Sequence, residues 1–105
     1  MSKDYEEFIK NNTAKASSEL NEEIQVTIDI SMYPNKDEFI EPINGFIKII
    51  NTFPEIKVKT FPTSTVIQGE YAYTMKAAQD AISEAHTKFD KAVYVMKVIP
   101  DYEAL

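Results

Sequence analysis

Cysteine and arginine are both missing from this sequence of 105 residues. Without cysteine, the chain forms no disulfides, thiolate nucleophiles or cysteine-ligated metal sites. Without arginine, it lacks the guanidinium groups that bind phosphates and bases in a forked geometry. Its net charge of -6 also opposes binding to a polyanion. These absences argue against a nucleic-acid-binding protein.

Long apolar runs and catalytic constellations are missing as well. No run approaches the roughly 20 apolar residues that span a bilayer, and the acidic first residues do not resemble a signal peptide. We therefore expect a cytoplasmic protein with no membrane span. His86 is the only histidine, and the sequence contains no nucleophile–base set, metal-ligand spacing or glycine-rich phosphate loop. The sequence predicts no catalytic residue, no metal and no cofactor.

The apolar residues, 44% of the chain, are arranged in periodic segments. Strict alternation of apolar and polar residues predicts a first strand from Ile24, ended by Pro34. Apolar residues three or four positions apart predict two amphipathic helices. A capping-box pattern at Asn35 and Glu38 predicts a short turn before the first helix, which then carries Pro42 in its first turn. The predicted strands cover residues 24–33, 56–61, 65–68 and 92–99, and the helices cover residues 39–50 and 75–89.

The resulting order is strand, helix, strand, strand, helix, strand. With right-handed crossovers, this order predicts an α+β, ferredoxin-like fold: a four-stranded antiparallel sheet with both helices on one face. The first and third strands are then central. Residues 1–22 are predicted to be a polar or helical N-terminal extension, and residues 23–105 a single ligand-binding domain. Because the second sheet face has no helical cover, we expect a homo-oligomer, either a dimer or a tetramer.

The segment TFPTSTVIQGEYA, residues 60–72, contains the strongest signal for a binding site. Its three successive hydroxyl residues offer directional hydrogen bonds without filling a pocket, although hydroxyls are also common at turns. Asp29, in the middle of a central strand, is either an exposed residue facing a lysine or a ligand-binding carboxylate. Tyr33 and Phe46 either wall a pocket or belong to the core. The candidate ligand-binding residues are Asp29, Ser31, Tyr33, Phe46, Thr63, Ser64, Thr65, Gln68 and Glu70.

Four segments together resemble the thiamine-binding YkoF-like family: DISMYP, FIEPINGFIKIIN, TFPTSTVIQGEY and KAVYVMKVI. The resemblance covers residues 24–99. It implies a ferredoxin-like domain that binds thiamine or its hydroxymethylpyrimidine part, and single-domain relatives that assemble into dimers or tetramers. The positions that match the family pattern are Ser64, Thr65, Gly69 and Glu70. An acidic residue often follows the next tyrosine in the family, but here that position is Ala72, which puts the capping of the second helix in question.

These observations predict non-enzymatic binding of thiamine or hydroxymethylpyrimidine in vitamin salvage, transport or buffering. One alternative is a regulatory ligand sensor similar to the amino-acid-binding ACT-like domains of the same topology, with its ligand at a subunit interface. Another alternative is an oligomeric interaction module without a small ligand. An enzyme acting on pyrimidine phosphates is disfavoured, because the sequence has no arginine, metal set or glycine-rich loop.

Overall fold

A computed structural model describes residues 24–35 and 37–105, so the predicted N-terminal extension lies outside the described residues. The elements follow the predicted order. Neither helix in the described part of the chain is both long enough and apolar enough to cross a membrane. The elements are β1 (Gln25–Pro34), α1 (Ile40–Ile50), β2 (Lys57–Thr60), β3 (Thr65–Glu70), α2 (Tyr71–Phe89) and β4 (Ala92–Pro100).

The four strands form one antiparallel sheet in the order β2-β3-β1-β4. This order confirms the ferredoxin-like fold and the central position of β1 and β3. The register pairs Ile28 with Ile67, both fully buried beneath the helices. It also pairs Asp29 with Val66. Because paired residues share a face of the sheet, Val66 lies on the side away from the helices.

Helix α1 begins without the predicted capping box. Its N-cap is Phe39, which provides no side-chain hydrogen bond, and residues 37–39 are not helical. The Glu38 carboxylate instead accepts a hydrogen bond from the Ile40 amide at 3.1 Å. The predicted partner, Asn35, donates its backbone N–H to the Lys91 carbonyl and so stays with the sheet. Pro42 lies in the first turn as predicted, where a missing N–H costs little.

Helix α2 is capped although Ala72 replaces the acidic residue that the family resemblance favours. The Glu70 carboxylate accepts hydrogen bonds from the Ala72 and Tyr73 amides, at 3.3 and 2.8 Å. Glu70 therefore satisfies two amides that have no partner within the helix. This cap lets α2 begin at Tyr71, four residues before the apolar repeat that starts at Met75.

The core lies between the helices and one face of the sheet. β1 supplies Val26, Ile28 and Ile30, and each is at most 2% exposed. The small residues of α2 allow a close approach between the helices. Gly45 of α1 is needed for the same reason, because a Cβ atom there would lie 2.2 Å from the Phe89 ring. The core cluster consists of Val26, Ile28, Ile30, Phe46, Ile49, Ile50, Ile67, Ala78, Ala81 and Ala85.

The sheet face opposite the helices, which we call the open face, is only partly uncovered. Residues 101–105, the C-terminal tail, fold back over one end of it. The Thr27 hydroxyl donates to the Tyr102 carbonyl at 2.6 Å and accepts from the Ala104 amide at 3.2 Å. The Leu105 amide donates to the Gln68 side chain at 2.6 Å. Thr27 and Gln68 are consequently only 2% and 3% exposed, so the expected bare polar surface is covered at this end by the chain itself.

Candidate functional site

A cavity of about 400 Å³ opens between α1 and the end of the sheet where β1 finishes and β3 begins. Its volume falls within the range of roughly 300–1,000 Å³ that small-molecule sites occupy. The lining comes from β1, α1 and the connection between β2 and β3. It consists of Ile30, Met32, Tyr33, Pro34, Phe39, Ile43, Phe46, Ile47, Thr60, Phe61, Pro62, Thr63, Ser64 and Thr65.

The apolar side of the cavity is built on the core. Ile30 and Met32 contribute from the helix-facing side of β1, and Ile43 and Ile47 contribute from α1. Phe46 is only 2% exposed, and its ring packs against Tyr94 with centroids 5.5 Å apart and planes tilted by 51°. Because this wall is anchored in the core, it offers a rigid apolar surface to a flat ring.

The polar side of the cavity consists of hydroxyl groups on Thr60, Thr63, Ser64 and Thr65, which we call the hydroxyl wall. A tight connection between β2 and β3 brings them together, and the Phe61 amide donates to the Ser64 carbonyl at 2.8 Å.

Among the described residues, no hydroxyl of the hydroxyl wall donates a hydrogen bond to another group. Within the described part of the chain, the hydroxyls that donate hydrogen bonds belong to four other residues: Thr27, Ser31, Thr52 and Thr87. A hydroxyl can both donate and accept. The wall can therefore meet either kind of polar group on a ligand.

The structure brings together five of the nine predicted site residues. Tyr33, Phe46, Thr63, Ser64 and Thr65 all line the cavity. Phe46 is both a core residue and a cavity wall, so the two alternatives for it are compatible.

The remaining four predicted site residues lie outside the cavity. Ser31 donates its hydroxyl to the Thr63 carbonyl at 3.1 Å, so it contacts the backbone of the hydroxyl wall. Asp29 is on the open face, paired across the strands with Lys97, and its Oδ1 is enclosed with no hydrogen-bond partner among the described residues. Gln68 binds the C-terminal tail, and Glu70 caps α2. The side chains of Gln68 and Glu70 therefore make their contacts outside the cavity.

The aromatic residues at positions 39 and 61 line the cavity but were missing from the sequence-derived site. The sequence pattern places Phe39 in the apolar stripe of the first helix and Phe61 at the end of the second strand. The quoted segment did contain a signal, since Phe61 and Pro62 directly precede the three hydroxyl residues. Phe61 is 41% exposed and Phe39 is 53% exposed, so both present ring surface at the cavity.

In the part of the chain that the structure describes, the cavity lining contains no carboxylate, ammonium or imidazole group. Outside the lining, the Nζ of Lys59 lies 5.3 Å from the centroid of the Phe61 ring. Among the described residues, no group of three histidine, aspartate or glutamate side chains could hold a metal ion. The arrangement can therefore bind a flat ring through hydroxyls and aromatic faces, and its lining carries no acid–base pair.

No protein-family profile and no curated protein matches this chain, but several solved structures share its fold. A Thermotoga maritima protein, provisionally assigned to thiamine biosynthesis or salvage, is 22% identical, with a TM-score of 0.66 over 76% of this chain and 85% of that one. A Streptococcus pneumoniae protein is 21% identical, with a TM-score of 0.66 over 71% and 84%. A domain of unknown function, DUF77, from Bacillus cereus is 12% identical, with a TM-score of 0.62 over 75% and 78%. At these identities, the similarities establish the fold.

Proposed function

We propose that this protein binds thiamine or its hydroxymethylpyrimidine moiety without chemical turnover. The observation that carries the proposal is the cavity itself, in which the hydroxyl wall faces apolar and aromatic side chains. The aminopyrimidine ring has the matching shape, because it is flat and carries hydrogen-bond donors and acceptors along its edge. The role would be salvage, transport or buffering of the vitamin, with the cytoplasm as the expected location.

Each part of the ligand has a counterpart in the cavity. The ring edge can exchange hydrogen bonds with Ser64 and Thr65, and an incorrect ring would leave these groups unpaired. The ring face can pack on Phe61, which lines the cavity and is 41% exposed. A thiazolium cation finds no carboxylate among the described lining residues, but the faces of Tyr33 and Phe39 can attract it through their quadrupoles. The provisional thiamine assignment of the Thermotoga maritima protein supports the same ligand class, since that protein shares the fold.

Isothermal titration calorimetry with thiamine and hydroxymethylpyrimidine tests the proposal. The double variant Ser64→Ala, Thr65→Val removes two hydroxyls and keeps the apolar walls. Losing two hydrogen bonds at about 0.5–1.5 kcal/mol each should weaken binding by roughly fivefold to somewhat over a hundredfold. Thr87→Val is the matched control, because its hydroxyl bonds to a helix carbonyl on α2, outside the cavity lining. Equal affinity in the double variant would contradict the role assigned to the hydroxyl wall. Mass spectrometry of the ligand recovered after binding would detect any chemical turnover.

Homo-oligomerisation is part of the proposal and has its own support. On the end of the open face that the tail does not cover, Val93 and Val95 are 62% and 48% exposed. Beside them, Lys97 and the enclosed carboxylate of Asp29 have opposite charges. A second copy related by a two-fold axis would cover the valines and place Lys97 of each copy near Asp29 of the other.

Sedimentation velocity tests the association. We expect a dimer or tetramer that Val95→Glu dissociates, while the same substitution at the exposed helix residue Gln79 has no effect. A monomer at every concentration would contradict the association. A ligand-free interaction module remains the alternative function, and it predicts a stable oligomer that no ligand in the titration panel stabilises.

A further inference from the structure

We infer that the cavity selects the unphosphorylated form of its ligand and rejects the phosphate ester of the same compound. The inference rests on the proposed function, and it adds the charge class of the ligand. Its basis is the described lining: among residues 24–35 and 37–105, no side chain that lines the cavity carries a positive charge at neutral pH. A phosphoryl group placed in such a cavity would lose its hydration without gaining a counter-ion, and an unpaired buried charge is strongly unfavourable.

The start of α1 adds to this rejection. A helix N-terminus beside a binding site usually favours phosphate, because its free amides point towards the anion. Here the Ile40 amide is already bonded to the Glu38 carboxylate, and the Ile43 amide bonds to the Phe39 carbonyl. Pro42 has no amide hydrogen at all. Little donor capacity is left at this end of the helix, and the exposed carboxylate of Glu38 adds a weak, screened repulsion of a second anion.

Lys59 does not reverse this balance. Its ammonium lies over the Phe61 ring, within the roughly 6 Å over which an aromatic face attracts a cation. Lys59 itself does not line the cavity, and its strand position places it on the open-face side of β2, next to Val66. A phosphoryl group could approach it only outside the cavity, in water, where the attraction is weak.

The preference for the free alcohol indicates where the protein acts in a reaction sequence. A site that releases the ester and holds the free alcohol belongs before a phosphoryl-transfer step that consumes the alcohol. The protein would then deliver the alcohol to a kinase-type reaction, and it would not compete for that reaction's product.

The test compares hydroxymethylpyrimidine with its monophosphate by calorimetry on the full chain. We expect the ester to bind about tenfold to a hundredfold more weakly than the alcohol, because a charged group is left unpaired. Glu38→Gln keeps an oxygen that can cap α1 but removes its charge. Because Glu38 is exposed, the substitution should narrow the affinity difference between alcohol and ester by about twofold at most, by strengthening ester binding alone. Glu84→Gln removes the same charge from the exposed surface of α2 and should leave the affinity difference between alcohol and ester unchanged.

The outcomes separate the two proposals. If the alcohol and the ester bind equally, the inference is overturned while the proposed function stands. If neither compound nor thiamine binds, both are overturned. If Glu84→Gln reduces the affinity difference between alcohol and ester as much as Glu38→Gln does, the contribution assigned to the start of α1 is wrong. Net charge alone then explains the change.

Discussion

Replacing Ser31 with alanine should weaken ligand binding although Ser31 does not line the cavity. Its hydroxyl donates to the Thr63 carbonyl at 3.1 Å and so ties β1 to the hydroxyl wall. This hydrogen bond is exposed, so we take the low end of the usual range, about 0.5–1 kcal/mol. If all of that free energy helps to hold the hydroxyl wall in its binding geometry, Ser31→Ala should lower affinity by about twofold to fivefold.

The assay must separate a positioning role from direct contact with the ligand. A positioning residue affects every ligand equally, so Ser31→Ala should weaken thiamine and hydroxymethylpyrimidine binding by the same factor. It should also speed hydrogen exchange at the Phe61 amide, whose bond to the Ser64 carbonyl closes the same connection. Ser31→Thr retains a hydroxyl and should restore most of the affinity.

Thr87→Val provides a control of the same kind, since it removes an exposed hydroxyl-to-carbonyl bond of 3.1 Å from α2. It should change neither affinity nor exchange at Phe61. Unchanged affinity in Ser31→Ala, together with faster exchange at Phe61, would refute the reasoning, because the hydroxyl wall would then be loosened without any effect on binding.

Two further substitutions test the packing. Gly69→Ala would place a Cβ atom 2.5 Å from the Thr74 hydroxyl and 3.2 Å from the Glu55 carbonyl; a urea titration should show a loss of about 1–3 kcal/mol in the free energy of unfolding. Tyr94→Phe removes a buried hydroxyl that has no partner among the described residues, so stability at neutral pH should stay equal or rise by up to about 1 kcal/mol. Burial raises the pKa of Tyr94 above its ordinary value, so the unfolded chain loses this proton first, and stability should fall as the pH rises above about 10. If the Tyr94→Phe variant loses the same stability at alkaline pH, groups other than Tyr94 cause that loss.

Periodicity was sufficient to predict the fold because each element buries one regular face. The alternation that starts at Ile24 and the stripe that starts at Phe39 each correspond to an element of the structure. Element ends were less predictable, since they depend on single hydrogen bonds. Glu38 caps α1 without Asn35, and Glu70 starts α2 four residues before its apolar repeat.

The site was most predictable where its residues are adjacent in sequence. Thr63, Ser64 and Thr65 form one segment, and they line the cavity together. Asp29 lies on the sheet face away from the helices, as the alternation of β1 predicts, and the register places Gln68 on the same face. The cavity instead opens on the helix side, where α1 contributes to its lining. The C-terminal tail, which binds Gln68, has no periodic pattern from which its path could have been inferred.

The acidity of the chain therefore has little bearing on recognition. Several carboxylates have structural roles: Glu38 and Glu70 bond to helix N-terminal amides, where the helix dipole favours negative charge. Asp80 and Glu84 pair with lysines one turn along α2, in contacts that are largely exposed and weak. None of these groups lines the cavity. A net charge of -6 can attract a cation towards the protein as a whole, but discrimination between ligands has to come from the uncharged hydroxyl wall and the rings opposite it.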